Sequence, residues 1–126
     1  MVSRVRRVKI GIDITHLDDF EQFDEASVDL VFTRAEWADV DGDPNHLARK
    51  AGRFAAKEAV LKVLGCGLGD ISLVDIEILS AENGEPRVRL SGRALEWFQT
   101  LSLDQLELSI SHHREYAVAV AVATPK

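Results

Sequence analysis

The stretch LARKAGRFAAKEAVLKVL, residues 47–64, decides how the rest of the chain is read. Its pattern is that of a helix, with Asn45 placed as a cap and Gly65-Cys66-Gly67-Leu68-Gly69 closing the far end. A helix turns about 100° per residue. Projected that way, Leu47, Ala51, Phe54, Ala55 and Leu61 fall within about 60° of Glu58, and Lys62 lies one turn away on the same side. Ala48, Gly52, Ala56, Ala59 and Val63 make the adjoining face small and apolar. The solvated sector is expected to be the one holding Arg49, Lys50, Arg53 and Lys57.

A carboxylate inside an apolar stripe needs a cation or strong donors. One reading of Glu58 is an intrahelical pair with Lys62, the lysine reaching outward to water. The other is a chemical site. This helix carries five Lys or Arg against one Glu in a chain of net charge -6. Such a basic island suits an anionic ligand or an acidic partner, or else is an ordinary wet face.

Working outward, Val8, Ile10, Ile12 and Ile14 alternate with Lys9, Gly11, Asp13 and Thr15, the period of a strand. An acidic helical stretch through Phe20 and Phe23 follows, and Thr33 with Glu36 three residues on predicts a capped helix containing Trp37. Asp41-Gly42-Asp43-Pro44 breaks the chain ahead of the long helix. Leu73 to Leu79 and Arg87 to Leu90 read as strands joined around Asn83-Gly84, and Gly92 to Leu101 as a helix. Two strands close the chain, Gln105 to Ser111 and Tyr116 to Ala123, with Val118, Val120 and Val122 on one face of the last and alanines on the other. The order predicts one α+β domain over residues 1–126, with a mainly antiparallel sheet packed on one long helix and shorter helices.

Asp13 lies on the strand face opposite the isoleucines, beside Gly11, which admits a close neighbour. Asp13 is either a local hydrogen-bond acceptor or, with Glu58, half of a Mg²⁺ site, since that ion takes few protein ligands plus water and phosphate oxygens. His112 and His113 point to opposite faces of an extended chain, so they do not chelate one ion together. The glycine loop after the long helix offers backbone N–H groups to a phosphate, but it lacks the Lys-Ser/Thr ending of a P-loop. Cys66, the single cysteine, reads as a loop thiol, and it excludes an intrachain disulfide.

The composition, 46% hydrophobic and 29% charged, is that of a soluble globular domain. Net charge -6 argues against a general nucleic-acid binder, and no apolar run reaches the length of a membrane span. The basic start, Met1 to Lys9, leads into a strand pattern rather than a signal-peptide core, so the cytoplasm is the expected compartment. A domain of 126 residues has little room for a deep private cleft, and a large cofactor would need a second subunit to enclose it.

Together these segments resemble the holo-acyl-carrier-protein synthases, the short class of 4′-phosphopantetheinyl transferases. The matching pieces are Gly11-Ile12-Asp13-Ile14, the run Arg53-Phe54-Ala55-Ala56-Lys57-Glu58-Ala59 with Lys62, and the glycine loop. Asp75-Ile76-Glu77, Gly84-Glu85-Pro86 and Ser109-Ile110-Ser111-His112 complete the set, in family order. The resemblance implies a homotrimer with active sites between subunits, coenzyme A as co-substrate, Mg²⁺ as cofactor and an acyl carrier protein as partner. It implies Asp13 and Glu58 as metal ligands, with Glu58, Lys62 and His112 as catalytic residues. It also implies Arg53, Lys57, Gly65, Gly67, Pro86 and His112 as contacts to coenzyme A, the basic helix face meeting the acidic carrier. Two positions depart from the family pattern: Asp18 stands near where a docking arginine is usual, and His113 replaces a small hydroxyl residue. The alternative is a trimer that holds coenzyme A or a carrier without transferring anything.

Overall fold

In the computed structural model, residues 7–20, 25–67 and 69–126 are described. The expectations that fell on Phe23, on Leu68 and on most of the basic N-terminus lie outside them. Strand β1 (Lys9–His16) leads through a 3-10 turn (Leu17–Phe20) to the short helices α1 (Glu25–Val31) and α2 (Arg34–Val40). The long helix α3 (His46–Leu64) follows, then a 3-10 turn (Leu73–Asp75) and the hairpin β2 (Ile76–Ser80) and β3 (Pro86–Leu90). Helix α4 (Gly92–Thr100) and the strands β4 (Leu103–His113) and β5 (Tyr116–Pro125) complete the chain. All pairings are antiparallel, in two sheets rather than one: β1-β5-β4, and the hairpin β2-β3. The α+β class is as expected.

Local chemistry explains the boundaries. Thr33 Oγ1 accepts from Glu36 N at 3.2 Å while Glu36 Oε1 accepts from Thr33 N at 2.9 Å, the reciprocal cap anticipated for α2. Asn45 does occupy the N-cap of α3, but its side chain makes no capping bond. Gly65 ends α3 in the left-handed region at φ 71°, where a side chain would be strained. Residues Leu73 to Asp75, expected as strand, curl into the 3-10 turn because Asp75 N donates to Ser72 O at 3.0 Å.

Helix α3 packs on the inner face of the three-stranded sheet, and small residues set how close it comes. That face carries Gly11, Asp13 and Thr15 of β1, paired with Ala121, Ala119 and Ala117 of β5. Those alanines and Ala51, Ala55, Ala56 and Ala59 of α3 are all buried, so helix and sheet meet nearly backbone to backbone. The closest point is Gly11, where a Cβ would stand 1.9 Å from the carbonyl oxygen of Ala59. The bulky residues take the other side. Ile10, Ile12 and Ile14 are 66%, 56% and 64% exposed in the single chain, on the outer sheet face shared with Val118, Val120 and Val122.

The other flank of α3 is covered by α2, the hairpin and the second 3-10 turn. This corrects the expected solvated sector: Lys50, Arg53 and Lys57 are all buried. Lys50 Nζ lies 3.8 Å from the Trp37 ring centroid and 3.2 Å from His46 Nδ1. Lys57 Nζ donates to Glu36 Oε1 at 2.7 Å, Leu73 O at 2.9 Å and Ile76 O at 2.6 Å. Three of the helix's five cations are therefore withdrawn from the surface, leaving Lys62 exposed and Arg49 half-buried.

Candidate active site

The contact at Gly11 positions the first group of residues. With β1 pressed on α3 there, Asp13 lands two residues further along the same strand face, beside Glu58 and Lys62 of the helix. Lys62 Nζ donates to Ile12 O at 2.7 Å and lies 3.4 Å from Asp13 Oδ1. Thr15 Oγ1 donates to Asp13 Oδ2 at 3.2 Å. The intrahelical Glu58–Lys62 pair is thus not what forms: the lysine crosses to the strand. Among the described residues the Glu58 carboxylate has no ion pair within hydrogen-bonding reach, although it is half-buried. Burial first, and then the negative charge of Asp13, push its pKa above the ordinary glutamate range, with Lys62 pulling partly back.

Two carboxylates from separate elements, one of them without a partner cation, fit a divalent ion. No cluster of three or more His, Cys, Asp or Glu able to hold a metal occurs among the described residues. A pair suits Mg²⁺, which completes its shell from water and phosphate oxygens.

The second group lies toward the other end of α3. Arg49, Arg53, Ser80, Gly84, Pro86 and His112 line a groove of about 170 Å³ between the helix, the hairpin and β4. His112 reaches it because Gly52 leaves room: a Cβ there would come within 2.9 Å of His112 Nε2. Arg53 donates to Asp39 Oδ2 at 2.6 Å and Ser80 Oγ at 2.9 Å, and its hydrogen bond holds the Asp39 carboxyl below the usual range. Arg53, Pro86 and His112, expected as ligand contacts, are therefore brought together.

Lys57 is not among them. Its ammonium spends all three hydrogens inside the protein and the side chain has no exposed surface, so its expected contact to coenzyme A is corrected to a structural role. Burial lowers its pKa, against the raising effect of Glu36. Nor do Gly65 and Gly67 join the groove, since Gly65 lies twelve positions along the helix from Arg53, about 18 Å of axial rise. Their N–H groups are also engaged: Gly65 N donates to Lys62 O at 3.2 Å and Gly67 N to Asp70 Oδ2 at 3.1 Å. The backbone phosphate cradle expected of this loop is corrected accordingly.

Ser80 carries no signal in the sequence, and Arg49, read there only as part of the basic island, stands one helical turn before Arg53, on the same face. Glu36 was read only as a capping residue. It is also the counter-ion of Lys57 and accepts from Ile78 N at 2.9 Å.

A sequence model of the 4′-phosphopantetheinyl transferase superfamily matches residues 9–121. The chain belongs to this superfamily. Within it, the holo-[acyl-carrier-protein] synthase of Moorella thermoacetica is 42% identical over 118 residues, covering 91% of this chain and 92% of that protein. The corresponding synthase of Alkaliphilus metalliredigens is 38% identical over 118 residues, covering 91% and 97%. Solved synthases share the fold. The Bacillus anthracis enzyme in complex with coenzyme A (3′,5′-ADP) superposes with a TM-score of 0.79 at 32% identity, covering 97% of this transferase and all of that chain. The Chronobacterium ammoniagenes coenzyme A complex superposes at 0.83 with 25% identity, covering 95% and 98%. The resemblance drawn from the motifs is therefore upheld, and this transferase is an enzyme of the holo-acyl-carrier-protein synthase type. Among its described residues no helix is long and apolar enough to cross a membrane.

Proposed function

We propose that this transferase moves the 4′-phosphopantetheine group of coenzyme A onto a serine of an apo acyl carrier protein, with Mg²⁺, releasing 3′,5′-ADP. The observation that carries this reading is the pairing of Asp13 with Glu58 beside Lys62, at the point where Gly11 lets β1 touch α3. Asp13 and Glu58 would hold the ion, which when bound neutralises pyrophosphate charge.

The serine oxygen bonds to the phosphorus that carries pantetheine, the bond to the bridging oxygen breaks, and 3′,5′-ADP departs with that oxygen. Glu58 takes the serine proton, a role suited to a carboxylate whose basicity is raised by burial and by Asp13. Lys62, 56% exposed on its side chain, has room to donate to the departing phosphate. Arg53 and His112 bind phosphate in the groove, and Pro86 lines it.

One chain does not build the whole site. The groove of about 170 Å³ falls below the roughly 300–1,000 Å³ usual for ligand pockets, and the glycine loop lies far from Pro86. The outer sheet face, with three isoleucines and Tyr116 exposed, offers the apolar surface that a second copy would cover. Both support a homotrimer with shared sites, in which a second subunit completes the groove of the first. The same reading places the enzyme in the cytoplasm, with its carrier and coenzyme A.

Incubating the protein with coenzyme A, Mg²⁺ and an apo carrier, then weighing the carrier, tests the proposal. A mass gain of one phosphopantetheine is expected. An unchanged carrier despite bound coenzyme A would leave only the non-catalytic binding trimer.

A further inference from the structure

Thr15 stands on the inner face of β1, two residues beyond Asp13, opposite Ala117 and 5% exposed. A hydroxyl buried without a partner costs free energy, and valine has nearly the same shape and suits a strand at least as well. Packing against α3 therefore gives no reason for the oxygen. Its one side-chain hydrogen bond among the described residues does: Thr15 Oγ1 donates to Asp13 Oδ2 at 3.2 Å. The chemistry proposed for the site leaves this bond without a role.

The bond completes a grip on the Asp13 carboxylate at both oxygens. Oδ1 lies 3.4 Å from Lys62 Nζ, and Oδ2 accepts from Thr15. The two donors are not equally fixed. Lys62 has a long side chain, 56% exposed, and its ammonium is the group that serves the departing phosphate. An ammonium turned to that phosphate no longer restrains Asp13. Thr15 is β-branched, with a stiff χ1, and is buried on the face that meets the helix, so its hydroxyl stays where folding puts it. Nor does the bond use up the carboxylate. An ionised carboxylate offers about four lone-pair positions, and Thr15 takes one.

Resting on the reading of Asp13 as a ligand to Mg²⁺, we infer that Thr15 is a positioning residue, whose hydroxyl orients the Asp13 carboxylate and through it sets the divalent-ion affinity of the site. Hydrogen bonds that orient a ligating group carry about ten- to a hundredfold in metal affinity. With valine in its place, Asp13 would turn freely whenever Lys62 left it, and that freedom would have to be removed when the ion binds.

The test separates the oxygen of Thr15 from its shape. Thr15→Val deletes the hydroxyl and keeps the branch, whereas Thr15→Ser keeps the hydroxyl and loses a methyl. Mn²⁺ binding to the chelator-stripped protein is read by electron paramagnetic resonance, alone and with coenzyme A but no carrier. Urea denaturation is run on the same metal-free samples. Thr15→Val should bind Mn²⁺ about ten- to a hundredfold more weakly, and Thr15→Ser should stay close to wild type. Affinity should not follow stability, since the serine variant, which leaves buried space, is the one expected to melt earlier. In transfer assays the Mg²⁺ concentration for half activity should rise by the same factor in Thr15→Val, with KM for coenzyme A unmoved. Thr15→Ala, measured below its transition, serves the same comparison if the valine variant unfolds early. Equal Mn²⁺ affinity in Thr15→Val and wild type overturns the inference alone. So does a tighter site, which would show the hydroxyl competing with the ion, or an equal loss in the valine and serine variants, which would be an effect of packing. Mn²⁺ uptake by wild type that survives Asp13→Asn, or no uptake at all, overturns the metal reading and this inference with it.

Discussion

Removing the ammonium of Lys57 should unfold much of what holds the site, and the size of the effect follows from its surroundings. Lys57→Met keeps the length of the stem and deletes three hydrogen bonds, to Glu36 Oε1, Leu73 O and Ile76 O. Glu36, itself wholly buried, keeps its bonds from Thr33 N and Ile78 N but loses its counter-charge. Breaking a buried ion pair from one side costs about 3–5 kcal/mol. Domains of this size are stable by about 5–15 kcal/mol, so a fifth or more of the total is at stake. The corresponding loss in Tm is roughly 10–20 °C. Urea denaturation followed by circular dichroism reads this directly. Adding Glu36→Gln to Lys57→Met should recover part of the loss, because the stranded charge goes with it, and the two changes should be strongly non-additive. Coenzyme A affinity, measured below the new transition, should hardly move. A Lys57→Met protein that melts with wild type and instead loses coenzyme A would show the lysine at the surface, and would refute the reasoning.

Glu58→Gln should abolish transfer in a folded protein, and near-native rates at saturating Mg²⁺ would remove Glu58 from the chemistry. Because the folded pKa of Glu58 is raised, the native state holds that proton more tightly than the unfolded chain does. Its contribution to stability is present at acid pH and is lost as pH rises through the raised value, so Glu58→Gln should gain on wild type in denaturation curves as pH rises above the ordinary glutamate value of 4.5; parallel curves would contradict this. Asp13→Asn should shift the Mg²⁺ titration of activity to higher concentration, and an unmoved titration would count against Asp13 as a ligand. Gly11→Ala, whose Cβ would meet Ala59 O at 1.9 Å, should cost stability at or above the usual 1–3 kcal/mol of overpacking and should lower transfer in the same protein. Asp18 is exposed in the turn after β1, so Asp18→Arg should lower KM for a strongly acidic carrier with kcat unchanged, an effect that fades with salt. A KM untouched at low salt would place Asp18 away from the docking edge.

Much of this protein could be read in its residues because the determinants are local. The cap at Thr33 and Glu36, the turn around Asn83-Gly84, the glycine that ends α3 and the alternation along β1 and β5 depend on neighbours within a few positions. So did the superfamily, since the run from Arg53 to Lys62 keeps its spacing in any structure. What periodicity could not decide was which face of each element meets another. The outward isoleucines of β1 and the inward Gly11 alternate identically whichever side is covered. Only the approach of α3, set by small side chains on both surfaces, settles that the small face is buried.

The same limit explains the misread cations. Arg49, Lys50, Arg53 and Lys57 form a basic sector in projection, and a single helix gives no sign that α2 and the hairpin will cover it. Their partners lie far along the chain: Glu36 is 21 residues from Lys57, and Ser80 is 27 from Arg53. Sequence by itself determined most of the secondary structure, the superfamily and the identity of Asp13, Glu58 and Lys62 as a candidate set. Tertiary structure alone decided that Lys62 pairs with the strand rather than with Glu58, that Lys57 is a buried strut and that Arg49 faces the groove. The physical reason is that an ionic side chain's role is set by what lies within a few ångströms of its charge, and those neighbours arrive only when distant segments pack.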